Sequence, residues 1–142
     1  MPNLSALPIQ ATLLTCLVMA AIAVYVPFLL VAYGRLQIGM EAIAQPRAMF
    51  VKLPPYAQRA TWAHQNAFEA FVLFTAAVLM AYVTQITSPI VAGAAIAHVS
   101  ARLLYPLFYV LNIPLGRSLM FAVGSLSTAT LMGLSLMRVY GG

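Results

Sequence analysis

Charge is what this chain has least of. Seven basic and two acidic residues are spread over 142 positions, 6% in all, where a soluble domain carries roughly a quarter. With 63% of residues hydrophobic, that scarcity excludes a soluble fold, because 15.3 kDa of chain cannot bury so much apolar surface. The class is therefore an integral membrane protein. Cysteine is also nearly missing. Cys16 stands alone in an apolar run, which excludes a disulfide framework and a cysteine metal site and leaves a small buried hydrophobe. Clustered base is lacking too: Arg35, Arg47, Lys52, Arg59, Arg102, Arg117 and Arg138 are scattered, so the net charge of +5 makes no nucleic-acid surface. No basic residue precedes Arg35 and the first apolar stretch is too long for a signal core, so the N-terminal stretch is expected to be a span, not a secretory leader. Period-two alternation is absent, which leaves helices as the spanning elements.

What the chain does have is four apolar stretches, each near the ~20 residues that cross ~30 Å of hydrocarbon. They predict helices over residues 8–33, with Pro27 as a kink, 62–84, 89–110 and 117–137. The expected fold is an all-α membrane protein, a four-helix up-down transmembrane bundle forming a single domain over 1–142. Residues 34–61 read as a long polar loop marked by Pro46, Pro54 and Pro55, while 85–88 and 111–116 read as short turns. Arg35, Arg47, Lys52 and Arg59 fall in the long loop and Arg117 borders the last connection, whereas the opposite side has only Arg138. That bias puts the loop in the cytoplasm and both termini on the non-cytoplasmic side. Small residues recur at packing intervals, Gly93, Ala97 and Ala101 in the third span and Ser125, Ala129 and Gly133 in the fourth.

A few polar groups lie inside the spans, where they are costly unless paired. Counted from the side that carries the long loop, Glu69 lies about 10 Å deep and Arg102 about 12 Å deep, on antiparallel helices. Matching depth predicts a Glu69–Arg102 ion pair or a shared hydrogen-bond network. Asn66 shares a helix face with Glu69, and Arg102, Tyr105 and Tyr109 recur along one face of the third span. Pro106 withholds a donor from the Arg102 carbonyl, which predicts a bend there. With Arg117 and Ser118 these residues outline a polar pocket open toward the cytoplasm. The same groups could serve packing registry alone, and Arg117 could be a snorkelling anchor. Trp62 fits an interface belt. No carboxylate lies at ligand spacing beside His64 or His98, so both read as hydrogen-bonding residues and no metal site is expected.

The run Arg59-Ala60-Thr61-Trp62-Ala63-His64-Gln65-Asn66-Ala67-Phe68-Glu69, followed by an apolar helix, resembles the second-helix signature of the MAPEG family, membrane-associated proteins of eicosanoid and glutathione metabolism. Arg102 with Tyr105 and Tyr109, then Arg117-Ser118, resembles the second half of that family's pattern. The resemblance implies a homotrimer that binds glutathione as cosubstrate between neighbouring protomers near the cytoplasmic face, with a small lipophilic electrophile reaching it from the bilayer. By position it implies that Asn66, Glu69 and Tyr109 contact glutathione, that Arg102 supports the glutamate, and that Arg117, followed by Ser118, stabilises the thiolate. The chemistry is sound, since a free thiol titrates near ~8.5 and a cation at the positive end of a helix favours the thiolate.

The chain also departs from the family pattern. Gln65 stands where the eicosanoid-synthesising members carry an arginine for a glutathione carboxylate. Gln37 replaces a basic residue, with Arg35 nearby as a substitute. Phe121 replaces a tyrosine, and Arg47 and Ala48 occupy the neighbourhood of a loop acid. Fewer cations mean weaker binding of a dianionic tripeptide, or a different ligand. The leading expectation is a glutathione transferase or peroxidase with Arg117 as its catalytic residue. One alternative is a non-enzymatic binding or structural protein of the same fold. Another is a small transporter with Glu69 as proton-coupling carboxylate.

Overall fold

A computed structural model describes residues 7–141. Helix α1 (Leu7–Ile38) is followed by a short α2 (Met40–Ala44), a single 3-10 turn (Phe50–Lys52), then α3 (Pro55–Val83), α4 (Pro89–Val110) and α5 (Pro114–Tyr140). Among the described residues there is no strand. The four long helices are each apolar and long enough to cross a bilayer. The 32, 29 and 27 residues of α1, α3 and α5 exceed the ~20 that a ~30 Å core requires, so these helices tilt or emerge at their ends.

The helices outrun their expected limits at the end of the bundle where the 39–54 connection lies, here termed the loop end. Helix α1 continues past Tyr33 through Gly34 and Arg35 to Ile38 and stops at Gly39, whose φ of 118° suits a residue without a Cβ. Gly34 is a packing residue and not a breaker: a Cβ there would stand 2.5 Å from the Ala57 Cβ, so its absence brings α1 and α3 together. Helix α3 begins at Pro55, well before Trp62, and α5 begins at Pro114. In both, proline occupies the first turn, where its fixed φ suits a helix and its missing N–H has no partner to lose. The polar connection is thus shorter than 34–61, and the buried Ala42, Met49 and Leu53 pin it to the bundle. The Tyr56 hydroxyl donates to Gln37 Oε1 at 2.7 Å across its base.

In the bundle α1 lies against α3 and α4, and α5 lies against α4 and α3, leaving α1 and α5 at opposite corners. The half nearer the 84–88 turn is mainly apolar, although Gln10, whose Nε2 donates to the Ile86 carbonyl at 3.4 Å, and Ser135 are buried in it. Leu13, Phe74, Val78, Val91 and Leu131 are fully buried there, and Cys16 packs among them. Polar contacts gather in the other half. Pro27, buried within α1, cannot donate to the preceding turn, and His64 Nδ1 donates to the Val24 carbonyl of that turn at 2.8 Å. Arg59 Nε donates to the Val110 carbonyl at 2.9 Å and so ties the start of α3 to the last turn of α4. The small-residue rows mostly face outward: Gly93, Ser125 and Ala129 are exposed, while Ala101 alone is fully inside.

Candidate functional site

Arg102 is the charged group that the bundle buries, at 5% exposure. Its Nη1 donates to Asn66 Oδ1 at 2.9 Å, which joins α4 to α3. The expected Glu69–Arg102 ion pair is not formed. Glu69 sits on the exposed surface of α3, and among the described residues no arginine or lysine reaches a carboxylate. The reason is angular. Residues three apart on a helix differ by about 60° around its axis, enough to turn Asn66 inward and Glu69 outward. The guanidinium fits because position 124 has no side chain: a Cβ on Gly124 would lie 3.0 Å from Arg102 Nε.

From Arg102 a row of cations and rings leads to the loop end. The Arg102 guanidinium is 5.3 Å from the Tyr105 ring centre and 5.7 Å from that of Phe121. Tyr105 meets Tyr109 edge-on at 5.6 Å, and the Arg117 guanidinium lies 4.7 Å over the Tyr109 ring. Such contacts hold a cation by the ring quadrupole without neutralising it. The Tyr105–Tyr109 face, broken only by Pro106, follows from their four-residue spacing on α4.

Asn66, Glu69 and Arg102 also line one cleft of about 320 Å³ between α3 and α5, with α4 as its floor. Its mouth faces outward between Leu73 and Phe121, both exposed. Of the other expected site residues, Ser118 is exposed at the start of α5, and Gln65 is exposed on α3. Arg35 is half-buried near the end of α1. None of these three joins the cleft or the cation–ring row within one chain. Gln37 is occupied by Tyr56.

One residue carries more than the sequence suggested. His98 is 1% exposed and stacks on Phe74 with ring centres 3.8 Å apart and planes 2° from parallel. Its Nδ1 is 3.0 Å from the Gly124 carbonyl and 3.1 Å from Thr128 Oγ1, which itself donates to that carbonyl at 3.0 Å. His98 precedes Arg102 by four residues and so shares its helix face, a signal present in the sequence. The contacts agree with a hydrogen-bonding histidine, and they leave Nε2 buried without a partner. Among the described residues no three His, Cys, Asp or Glu side chains converge as a metal site.

Four membrane-crossing helices with a buried arginine, an inward asparagine and a cation over a tyrosine at one end define a small polytopic membrane protein with a polar site at that end. Residues 12–137 match the MAPEG family, and the chain belongs to it. No curated protein and no solved structure matches the chain.

Proposed function

We propose that this chain is a glutathione-dependent MAPEG protein, a transferase or peroxidase for lipophilic electrophiles, working as a homotrimer. The observation that carries this reading is Arg117, a cation held over the Tyr109 ring with no carboxylate among the described residues neutralising it. Glutathione, when bound, supplies a thiol whose thiolate is the nucleophile. Arg117, in the first turn of α5, adds its charge to the positive end of that helix and favours the deprotonated sulfur. Glu69 offers an unpaired carboxylate to an ammonium group, and Asn66 orients Arg102 beside it. An electrophile dissolved in the bilayer reaches the sulfur without crossing water.

The homotrimer is supported by the position of Glu69. A carboxylate on the outer surface of a span is expensive in lipid, and a neighbouring copy covering that face removes the exposure. The orientation follows from Arg35, Arg47, Lys52, Arg59 and Arg117, all at the loop end, which we place in the cytoplasm with both termini opposite.

A second reading keeps the fold without glutathione chemistry. Gln65 and Gln37 favour it, since neither supplies the cation that a tripeptide carboxylate would need, and Gln37 already accepts from Tyr56. A proton-coupled transporter is disfavoured: Glu69 is unpaired as that role would require, but the apolar core closes the half of the bundle nearer the 84–88 turn. Calorimetric titration of the purified protein with glutathione separates the readings. Saturable binding at or below millimolar concentration supports the enzyme; no heat at millimolar glutathione leaves the binding-protein reading.

A further inference from the structure

The corner where α4 turns into α5 places both halves of the Arg117–Tyr109 contact. The Ile113 N–H donates to the Phe108 carbonyl at 2.8 Å, and the Asn112 N–H donates to the Tyr109 carbonyl at 3.1 Å. Asn112 has a φ of 57°, a left-handed conformation that asparagine accepts more readily than most residues. This is a Schellman ending, and it satisfies the carbonyls of Phe108 and Tyr109. It leaves the carbonyl of Val110, the last residue of α4, with no donor in the turn. Helical continuation would draw that donor from Pro114, which has no N–H. Arg59 Nε fills the place at 2.9 Å, reaching across from the start of α3. A cation there also meets the negative end of the α4 dipole.

The same corner fixes Arg117 from the α5 side. The Arg117 N–H donates to the Ile113 carbonyl at 3.1 Å, in the first turn of α5. Gly116 beside it lies against Phe108, so closely that a Cβ would stand 2.6 Å from the ring. Tyr109, whose carbonyl closes the turn, carries the ring that lies 4.7 Å from the Arg117 guanidinium. A helix end whose carbonyls lack partners frays, and an unsatisfied acceptor is costly. Fraying of α4 here would move Tyr109 and Ile113 together, so Arg117 would lose its ring and its anchor at once.

We propose that Arg59 is a positioning residue for Arg117: by capping Val110 it keeps the α4–α5 corner closed and the guanidinium over Tyr109. Its bearing on the thiolate rests on the glutathione reading above; the seating of Arg117 does not.

The test is phenylglyoxal modification of the full-length protein in nanodiscs, with the Arg117 peptide followed by mass spectrometry. Tyr109→Leu, which removes the ring, sets the rate of a released guanidinium. Arg59→Met keeps a long side chain without a donor and should raise the Arg117 rate roughly tenfold, the worth of one hydrogen bond. Arg59→Lys keeps a charged donor and should stay near wild type. Should Arg59→Met fail to fold, the exposed Asn112 opens the corner from its other side. Asn112→Val resists a φ of 57° and should raise the rate, whereas Asn112→Gly should not. At saturating glutathione the thiolate absorbance should fall in Arg59→Met and return in Arg59→Lys, a readout that stability alone does not move. An unchanged Arg117 rate in folded Arg59→Met, or in Asn112→Val, would overturn the seating. A raised rate with unchanged thiolate absorbance would overturn the positioning role. No thiolate in wild type would remove the glutathione reading, and the modification rates would still decide how Arg117 is held.

Discussion

Arg102 and Asn66 are joined by a 2.9 Å hydrogen bond across the α3–α4 interface, while Glu69, one turn further along α3, lines the same cleft unpaired. A buried cation is therefore held by a neutral acceptor. Replacing Asn66 with Leu should cost about 1.5–3 kcal/mol, the worth of a hydrogen bond to a charged group. Asn66→Asp should retain the contact, and Glu69→Gln should melt close to wild type. Thermal unfolding of the three variants in one detergent ranks them. A Glu69→Gln loss larger than that of Asn66→Leu would show that the carboxylate is the true partner.

That relationship marks how far the sequence was legible. Length and hydropathy gave four spans, and depth counting brought Arg102 to the level of the Asn66–Glu69 turn. Depth does not fix rotation about the helix axis, and rotation decides which of two nearby side chains turns inward. The helix starts were missed for a related reason. Pro54, Pro55 and Pro114 read as loop markers by composition, whereas the structure uses Pro55 and Pro114 as first-turn residues. His98 was legible as a hydrogen-bonding residue, but its free Nε2 depends on packing against Phe74 and Gly124 that no single stretch of chain contains.

The glycines separate close packing from open surface. A Cβ at Gly34 would meet Ala57 Cβ at 2.5 Å, backbone-anchored on both sides, so Gly34→Ala should destabilise by about 1–3 kcal/mol. At Gly93 nothing lies within 4 Å, and Gly93→Ala should be neutral or gain up to about 1 kcal/mol from helix propensity. Denaturation midpoints in detergent check both. A large loss at Gly93 would show instead that the exposed row on α4 packs against a second copy.

Sidedness is open to a direct chemical check. Cys16 is buried in the apolar core, so a cysteine placed at the exposed Ala48 is the reactive thiol of an Ala48→Cys variant. In intact cells a membrane-impermeant maleimide should leave it unlabelled, and permeabilisation should expose it. Labelling of intact cells would invert the orientation.

The role of Arg117 is tested most directly by the ultraviolet absorbance of glutathione thiolate at neutral pH, on addition of glutathione to wild type, Arg117→Lys and Arg117→Ala. A free thiol near ~8.5 is only a few per cent thiolate at that pH, so a saturable band above that background reports stabilisation by the site. The expected result is a saturable band in wild type, a weaker one in Arg117→Lys and none in Arg117→Ala. Equal bands in wild type and Arg117→Ala would contradict the assignment of the thiolate to Arg117.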